Sequence, residues 1–387
     1  MVSTPARLVM AFLLLSLCAC TINPRAVACE EIDGRNLAPA DGTLMGVNLE
    51  WGRETLAEYS DKLGERPAVA VSFADFPFDE DDPGLIESAV DQLRQEGGML
   101  LLTLEPEEGL AAVTEDHAAE LAGMLAGFNA GGVPVIVRFA HEMNGSWYRW
   151  GQQPDEYIAA FRRVADAVHR DAPGSAMMWA PNYGGGYPFA GGAFETLPGA
   201  SGFVPLDTNG DGVLTSFDDP YAPYYPGDDA VDWVGMSLYH WGGTYPWGES
   251  EMPEDGKFID QLTGNYDGTN GDDSMLPDFY AEYAARHGKP VAIPETASLV
   301  VDGVGDLRSL NIKRAWWEQV FDPAVHEKFP QLRMVNWFEW NKAEPEVGAA
   351  VDWTVMEDPA VRAEFSAALP EWYRFAEEPD ECGEQIF

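Results

Sequence analysis

Basic residues are scarce: 23 Lys and Arg stand against 65 Asp and Glu, a formal charge of −42. A surface of that sign repels nucleic-acid phosphate and anionic membrane faces, so no nucleic-acid partner is expected and the ligand should be neutral. Histidine is scarcer still, with six in the chain. His141-Glu142 lacks the second histidine that a zinc-protease helix places four residues on, because position 145 is Gly145, and zinc hydrolysis has no visible ligand set. No Gly-rich basic loop is available to cradle a phosphate, which argues against a phosphate-binding enzyme. Internal repeats and low-complexity linkers are also lacking.

Aromatic residues are plentiful at 12%, including 13 Trp, so the acidity reads as a solvated surface over a packed core rather than as disorder. The uncharged stretch from Leu8 to Leu17 after Arg7 is too short to span a bilayer and has the size of a signal-peptide apolar region. Leu17-Cys18-Ala19-Cys20 resembles a bacterial lipobox, which makes residues 1–19 a leader and Cys20 a lipidation site, while Ala26-Val27-Ala28 offers a competing cleavage point. The expected location is therefore secreted or cell-surface, with membrane contact only through a lipid on Cys20. Cys29 and Cys382 then remain, one near each end, and in an oxidising compartment they can form a disulfide; in the rival reading Cys29 is itself lipidated.

Apolar, β-rich runs recur at 44–49, 69–73, 99–104, 135–139, 177–180, 231–238, 291–293 and 334–340. Several are continuous rather than alternating, as strands covered on both faces must be. Helical spacing lies between them: Tyr157, Ile158, Phe161, Val164, Ala165 and Val168 follow Pro154-Asp155 and stop at Pro173-Gly174. The pattern predicts an α/β fold, a (β/α)8 TIM barrel in one domain. Its expected limits are 44–378, after an N-terminal segment over 20–43 and before a tail over 379–387, with long loops after strands five and six. A monomer is expected.

Two of these runs end in a lone glutamate. Val135–Phe139 leads into Ala140-His141-Glu142-Met143-Asn144-Gly145, and Val291-Ala292-Ile293-Pro294 leads into Glu295. If strand four stays regular, Arg138, Ala140 and Glu142 share its barrel-facing side, and Val291, Ile293 and Glu295 share one face of strand seven. Strands four and seven face each other across an eight-strand barrel. Two carboxyls so placed can cleave a glycosidic bond, one protonating the leaving oxygen and one attacking the anomeric carbon, at the ~5–5.5 Å separation of retaining enzymes. Arg138 would favour an ionised Glu295, whereas Trp147 and the second carboxylate would raise the other acid.

Arg138 followed by His141-Glu142-Met143-Asn144-Gly145 and Trp147 resembles the acid/base motif of glycoside hydrolase family 26, a family of secreted β-mannanases, β-glucanases and xylanases. The resemblance implies Glu142 as acid/base and Glu295 as nucleophile, with His141 and Trp147 in the subsite of bond cleavage. It also implies that Tyr239 hydrogen-bonds the nucleophile and that Trp340 lies under the sugar. Leu104-Glu105-Pro106 departs from the histidine that the family's mannanases offer there and is closer to its glucanase branch. Asn144, Trp150, Trp179 and Trp241, and further Trp247, Tyr183 and Tyr245, are candidates for contact with the sugar chain, the aromatics because pyranose faces stack on such platforms.

Asp207, Asn209, Asp211, Val213, Thr215 and Asp218 stand at positions 1, 3, 5, 7, 9 and 12 of a loop with Gly212 at its turn, the oxygen spacing of a calcium loop. Asp218 is a shorter last arm than the usual Glu. One structural calcium and no organic cofactor are expected. The resulting expectation is a retaining, endo-acting hydrolase of a β-linked polysaccharide, β-glucan or β-mannan. A silent carbohydrate-binding protein on the same barrel is the alternative, and the pair of glutamates, which a binder does not need, separates the two.

Overall fold

The computed structural model describes residues 32–243, 248–267 and 273–379. The apolar runs become eight parallel strands: β1 (Thr43–Leu49), β2 (Val69–Asp75), β3 (Met99–Glu105), β4 (Val135–Phe139), β5 (Ser175–Trp179), β6 (Trp233–Gly235), β7 (Val291–Thr296) and β8 (Leu332–Glu339). They pair in chain order, and β1 closes onto β8 from Leu44↔Met334 to Leu49↔Glu339. The expected TIM barrel is therefore present. Only β6 is much shorter than its apolar run: regular pairing ends at Gly235, beyond which Met236 and Leu238 donate singly to Ala292 and Glu295.

Helices α1 (Leu56–Leu63), α2 (Asp82–Glu96), α3 (Glu115–Ala130), α4 (Pro154–Asp171), α5 (Phe203–Leu206), α6 (Lys257–Leu262), α7 (Asp306–Val320), α8 (Pro323–Lys328) and α9 (Pro359–Ala368) fill the connections. Local chemistry sets their ends. Thr55 and Glu58 form a capping box at the start of α1, and Gly64, at φ 86°, ends it in the left-handed conformation that a side chain resists. Pro154 opens α4, where a missing N–H costs nothing. None of the described helices is long and apolar enough to cross a membrane.

Two apolar layers result. Val69, Val71, Met99, Leu101, Ile136, Met178, Trp233, Ala292 and Met334, all from strands, fill the barrel's interior together with Leu37 from the N-terminal segment. Val135, Val137, Phe139, Val291 and Ile293 belong to the outer layer, packed with the helices. After β8 the chain adds a hairpin, β9 (Asn341–Glu344) with β10 (Ala349–Asp352), and later a short β11 (Tyr373–Arg374) that pairs with the start of β1. Cys20, Cys29, Cys382, Tyr245 and Trp247 lie outside the described residues.

Candidate active site

The layering corrects the expectation of regular strand ends. Val291 and Ile293 face the helices, so plain alternation would send Glu295 outward as well. Pro294 has no N–H to pair with, and the β7–β8 register shifts between Ile293 and Thr296. Past that irregularity Thr296 takes the outer side, accepting from the Trp316 indole at 2.9 Å, and Glu295 turns into the barrel. Asn48 of β1 donates to the Pro294 carbonyl at 3.0 Å and holds the irregular turn in place.

Strand four departs in its own way. It ends at Phe139, and Ala140 and Glu142 both adopt positive φ, 48° and 54°. Ala140 packs in the outer layer, so Arg138, Ala140 and Glu142 do not share a face. Glu142 reaches the barrel mouth through a left-handed corner, with its N–H on the Ala180 carbonyl at 2.9 Å. Such conformations are costly for residues with a side chain and persist where surrounding contacts impose them. Here Asn144 does so: its amide donates to the Asn182 carbonyl and accepts from the Asn182 N–H, each at 2.8 Å. Both ends of Asn144 are thus used in a backbone clasp, which corrects its expected place against substrate. Gly145 lets Trp147 fold over the corner, because a Cβ there would lie 2.4 Å from the indole.

The two glutamates then sit in contrasting surroundings. Glu295 is 7% exposed and receives donors on both oxygens. Arg138, fully buried, donates to Oε1, and the Tyr239 hydroxyl donates to Oε2 at 2.7 Å. The other arm of Arg138 donates to Ser237 Oγ at 2.7 Å, and Ser237 also hydrogen-bonds Glu142. Burial holds the Tyr239 hydroxyl well above its ordinary range, with the Glu295 charge adding to the shift, so it remains a donor. Glu142 accepts from the Trp147 indole at 3.1 Å. Burial first, and the charge of Glu295 second, push its carboxyl up to about 7. One carboxyl therefore has a donor on each oxygen while burial and charge hold its neighbour toward the protonated form, the division of labour that acid-assisted displacement needs.

Around the pair, Phe73 of β2 meets His141 edge-on at 5.9 Å and Trp340 at 6.5 Å, bringing those two side chains together. Burial keeps the His141 imidazole far below its usual range, hence neutral, and its Nδ1 has no partner within the protein. Trp340, half-buried, stacks on Phe338, and its indole N–H is also without a partner. Trp241 lies 6.3 Å from Tyr239. Two other tryptophans are corrected. Trp150 is fully buried, stacked on Tyr148 at 4.3 Å and donating to the His141 carbonyl, so it supports the corner from behind. Trp179 is fully buried on the outer face of β5 among Tyr225, Phe279 and Tyr283. Tyr183 donates to Asp273 at 3.1 Å.

Sequence reasoning gave Glu105 no place among the site residues, yet β3 delivers it to the barrel mouth. Burial above all, with the charges of Glu107 and Glu295, raises its carboxyl to about 8. Its position at the end of the apolar run over 99–104, like those of Glu142 and Glu295, was a usable signal. Phe73 offered none, since a strand phenylalanine is more often core.

The Asp207–Asp218 loop, after β5, curls as its glycines allow, with Gly210 and Gly212 at φ 74° and 87°. Asp207 accepts the Asp211 and Gly212 N–H groups at 3.0 and 2.9 Å, Asn209 accepts Asp211 N–H at 2.9 Å, and Asp211 accepts Val213 N–H at 2.9 Å. Thr215 Oγ1 accepts Phe217 N–H at 3.2 Å, and Asp218, 2% exposed, accepts Thr215 N–H at 2.9 Å. The donor set is all oxygen and suits calcium in kind. Among the described residues, however, the carboxylates that approach within 4.8 Å of one another as a group of three are Asp75, Asp79 and Asp82, not those of this loop.

Comparison with known proteins follows the same geography. The sequence profile of glycosyl hydrolase family 26 matches residues 104–183, from the end of β3 through the Glu142 corner to just past β5. Endoglucanase H of Acetivibrio thermocellus is 23% identical over 288 residues, 72% of this chain, and the chain spans about a quarter (25%) of that relative's length. In structure, the barrel resembles GH26C from Muricauda sp., with a TM-score of 0.53 at 14% identity over 89% of this chain and 90% of that one. It also resembles a modular endo-β-1,4-mannanase from Cellulomonas fimi, with a TM-score of 0.52 at 18% identity over 89% of this chain and 77% of the other. These likenesses show the barrel fold; the segment that builds the Glu142 corner is similar to glycosyl hydrolase family 26.

Proposed function

We propose that the chain is a retaining, endo-acting glycoside hydrolase of a β-linked polysaccharide. The observation that carries the reading is the asymmetric pair: Glu295 with Arg138 and Tyr239 on its two oxygens, beside Glu142 with its carboxyl raised to about 7. In the first step a Glu295 oxygen attacks the anomeric carbon while Glu142 passes its proton to the glycosidic oxygen, which departs as an alcohol. In the second, Glu142 takes a proton from water as that water attacks the anomeric carbon and frees Glu295. Oxocarbenium-like charge develops over Glu295, and the neutral state of His141 avoids a second cation beside it.

β-Glucan and β-mannan are the candidate substrates. The relative named an endoglucanase and the carboxyl at Glu105 both favour glucan. With its carboxyl raised to about 8, Glu105 is protonated at neutral pH and can donate to a sugar hydroxyl. Trp340, half-buried and stacked on Phe338, would meet the sugar in the cleft. Asp207, Asn209, Asp211, Val213, Thr215 and Asp218 would hold one calcium that fixes the loop after β5 and takes no part in bond cleavage. Export, with lipidation at Cys20 and a Cys29–Cys382 disulfide, belongs to the same reading.

The test is incubation with mixed-linkage β-glucan, β-mannan, β-1,3-glucan and xylan, following new reducing ends. Release from glucan, with mannan slower, is expected. Binding without release from any of them would point to a silent carbohydrate-binding barrel.

A further inference from the structure

The hydroxyl of Tyr239 on Glu295 is placed by a ring, and that ring is placed by its neighbours. Trp353, just past β10, is 1% exposed and meets Tyr239 edge-on at 5.2 Å and Trp241 at 5.0 Å. Its own position is fixed at two points. The backbone N–H donates to the Trp340 carbonyl at 3.1 Å, and the indole N–H donates to Glu344 Oε1 at 2.7 Å. Glu344 is a 6% exposed carboxylate at the end of β9.

The β9–β10 hairpin carrying these two residues is itself tied to the segment after β7. Asp302 N–H donates to the Ala350 carbonyl at 3.0 Å, and Asp352 N–H to the Val300 carbonyl at 2.8 Å. Below Trp353, Glu339 at the end of β8 accepts the Val355 and Met356 N–H groups at 3.1–3.3 Å. The hairpin thus spans the ends of β7 and β8, the strands that present Glu295 and Trp340.

Space alone would be filled by any large apolar side chain. A buried carboxylate that accepts the indole N–H, with Lys342 Nζ at 3.4 Å from the same oxygen, costs desolvation and yields instead a charge-assisted bond with a direction, which fixes the tilt of the ring. We infer that Trp353, oriented by Glu344, is a positioning residue that sets Tyr239 on the Glu295 carboxylate. It touches no reacting atom and acts through Tyr239. The inference rests on the hydrolase reading above.

Displacing Tyr239 removes one of the two donors on Glu295 and leaves Arg138 as the other, so the loss should fall on the chemical step rather than on binding.

The experiment measures kcat and KM for W353F, E344A and E344Q, each in the wild-type and Y239F backgrounds, with folding followed by near-ultraviolet circular dichroism. W353F and E344A should lower kcat roughly tenfold, with KM within about twofold. E344Q, whose amide oxygen can still accept the indole N–H, should stay within about twofold of wild type. In the Y239F background neither W353F nor E344A should add more than about twofold, because the residue they act through is already disabled. Should W353F fail to fold, E344A against E344Q decides the matter alone. A loss carried by KM rather than kcat, or an undiminished loss in the Y239F background, overturns the inference. A wild type that hydrolyses none of the four glycans removes the hydrolase reading itself.

Discussion

At the residue scale, the site depends on giving two like side chains unlike surroundings. Trp147 and Ser237 hydrogen-bond Glu142 and favour its ionised form, but burial and the charge of Glu295 outweigh them and raise its carboxyl to about 7. Glu142 must carry a proton to act on the leaving oxygen, so kcat/KM should be full below that value and fall as pH rises through it. Trp147→Phe removes one donor to the anion, which moves the alkaline limb to higher pH while lowering kcat/KM. Glu142→Gln should lower kcat/KM by on the order of 10²–10⁴ on ordinary substrates and abolish the alkaline limb. Both effects are read from pH–rate profiles, and an alkaline limb unchanged in Glu142→Gln would assign that limb to another group. Much of this was legible in the sequence, because a carboxylate flanked by His141, Asn144 and Trp147 after an apolar run is a rare constellation. What each neighbour does was less so. Asn144 clasps Asn182 and Trp150 props the His141 carbonyl, roles set by partners distant in the chain.

At the scale of elements, irregularity rather than regularity aims the chemistry. Strict alternation would point Glu295 toward the helices, and the register shift at Pro294 reverses it. The left-handed corner at Ala140 and Glu142 does the same service at β4. Neither can be read from periodicity, which assumes that strands continue. The link from Glu344 through Trp353 to Tyr239 is equally invisible, because it joins a hairpin to a strand end with no spacing in common. The Asp207–Asp218 loop is the opposite case: its spacing is fully visible, and its backbone already turns the oxygen-bearing side chains onto their own amides. Calcium at about a hundredfold over its Kd should stabilise the fold by ~2.7 kcal/mol, provided the unfolded chain does not bind it. Thermal unfolding with calcium and with chelator measures this, and Asp211→Ala should erase the difference. Equal melting temperatures for wild type in both conditions would leave the loop a plain acidic turn.

For the whole molecule, the barrel was legible because doubly covered parallel strands write themselves as uninterrupted apolar runs, and all eight runs became strands. The tryptophans were not sortable in this way: Trp179 ends the β5 run and Trp241 stands just past the β6 run, yet one is in the outer core and the other beside Tyr239. Residue type records affinity for apolar surroundings, and both core and cleft supply them. The barrel also places Glu142 and Glu295 on separate elements close enough for the charge of one to act on the other, and the central claim is that they work as a retaining pair. Proton NMR of the first sugar released from a β-glucan tests it most directly. The β-anomer should appear first and the α-anomer grow in later by mutarotation, as double displacement requires. Initial appearance of the α-anomer would mean direct attack by water and would contradict Glu295 as the nucleophile.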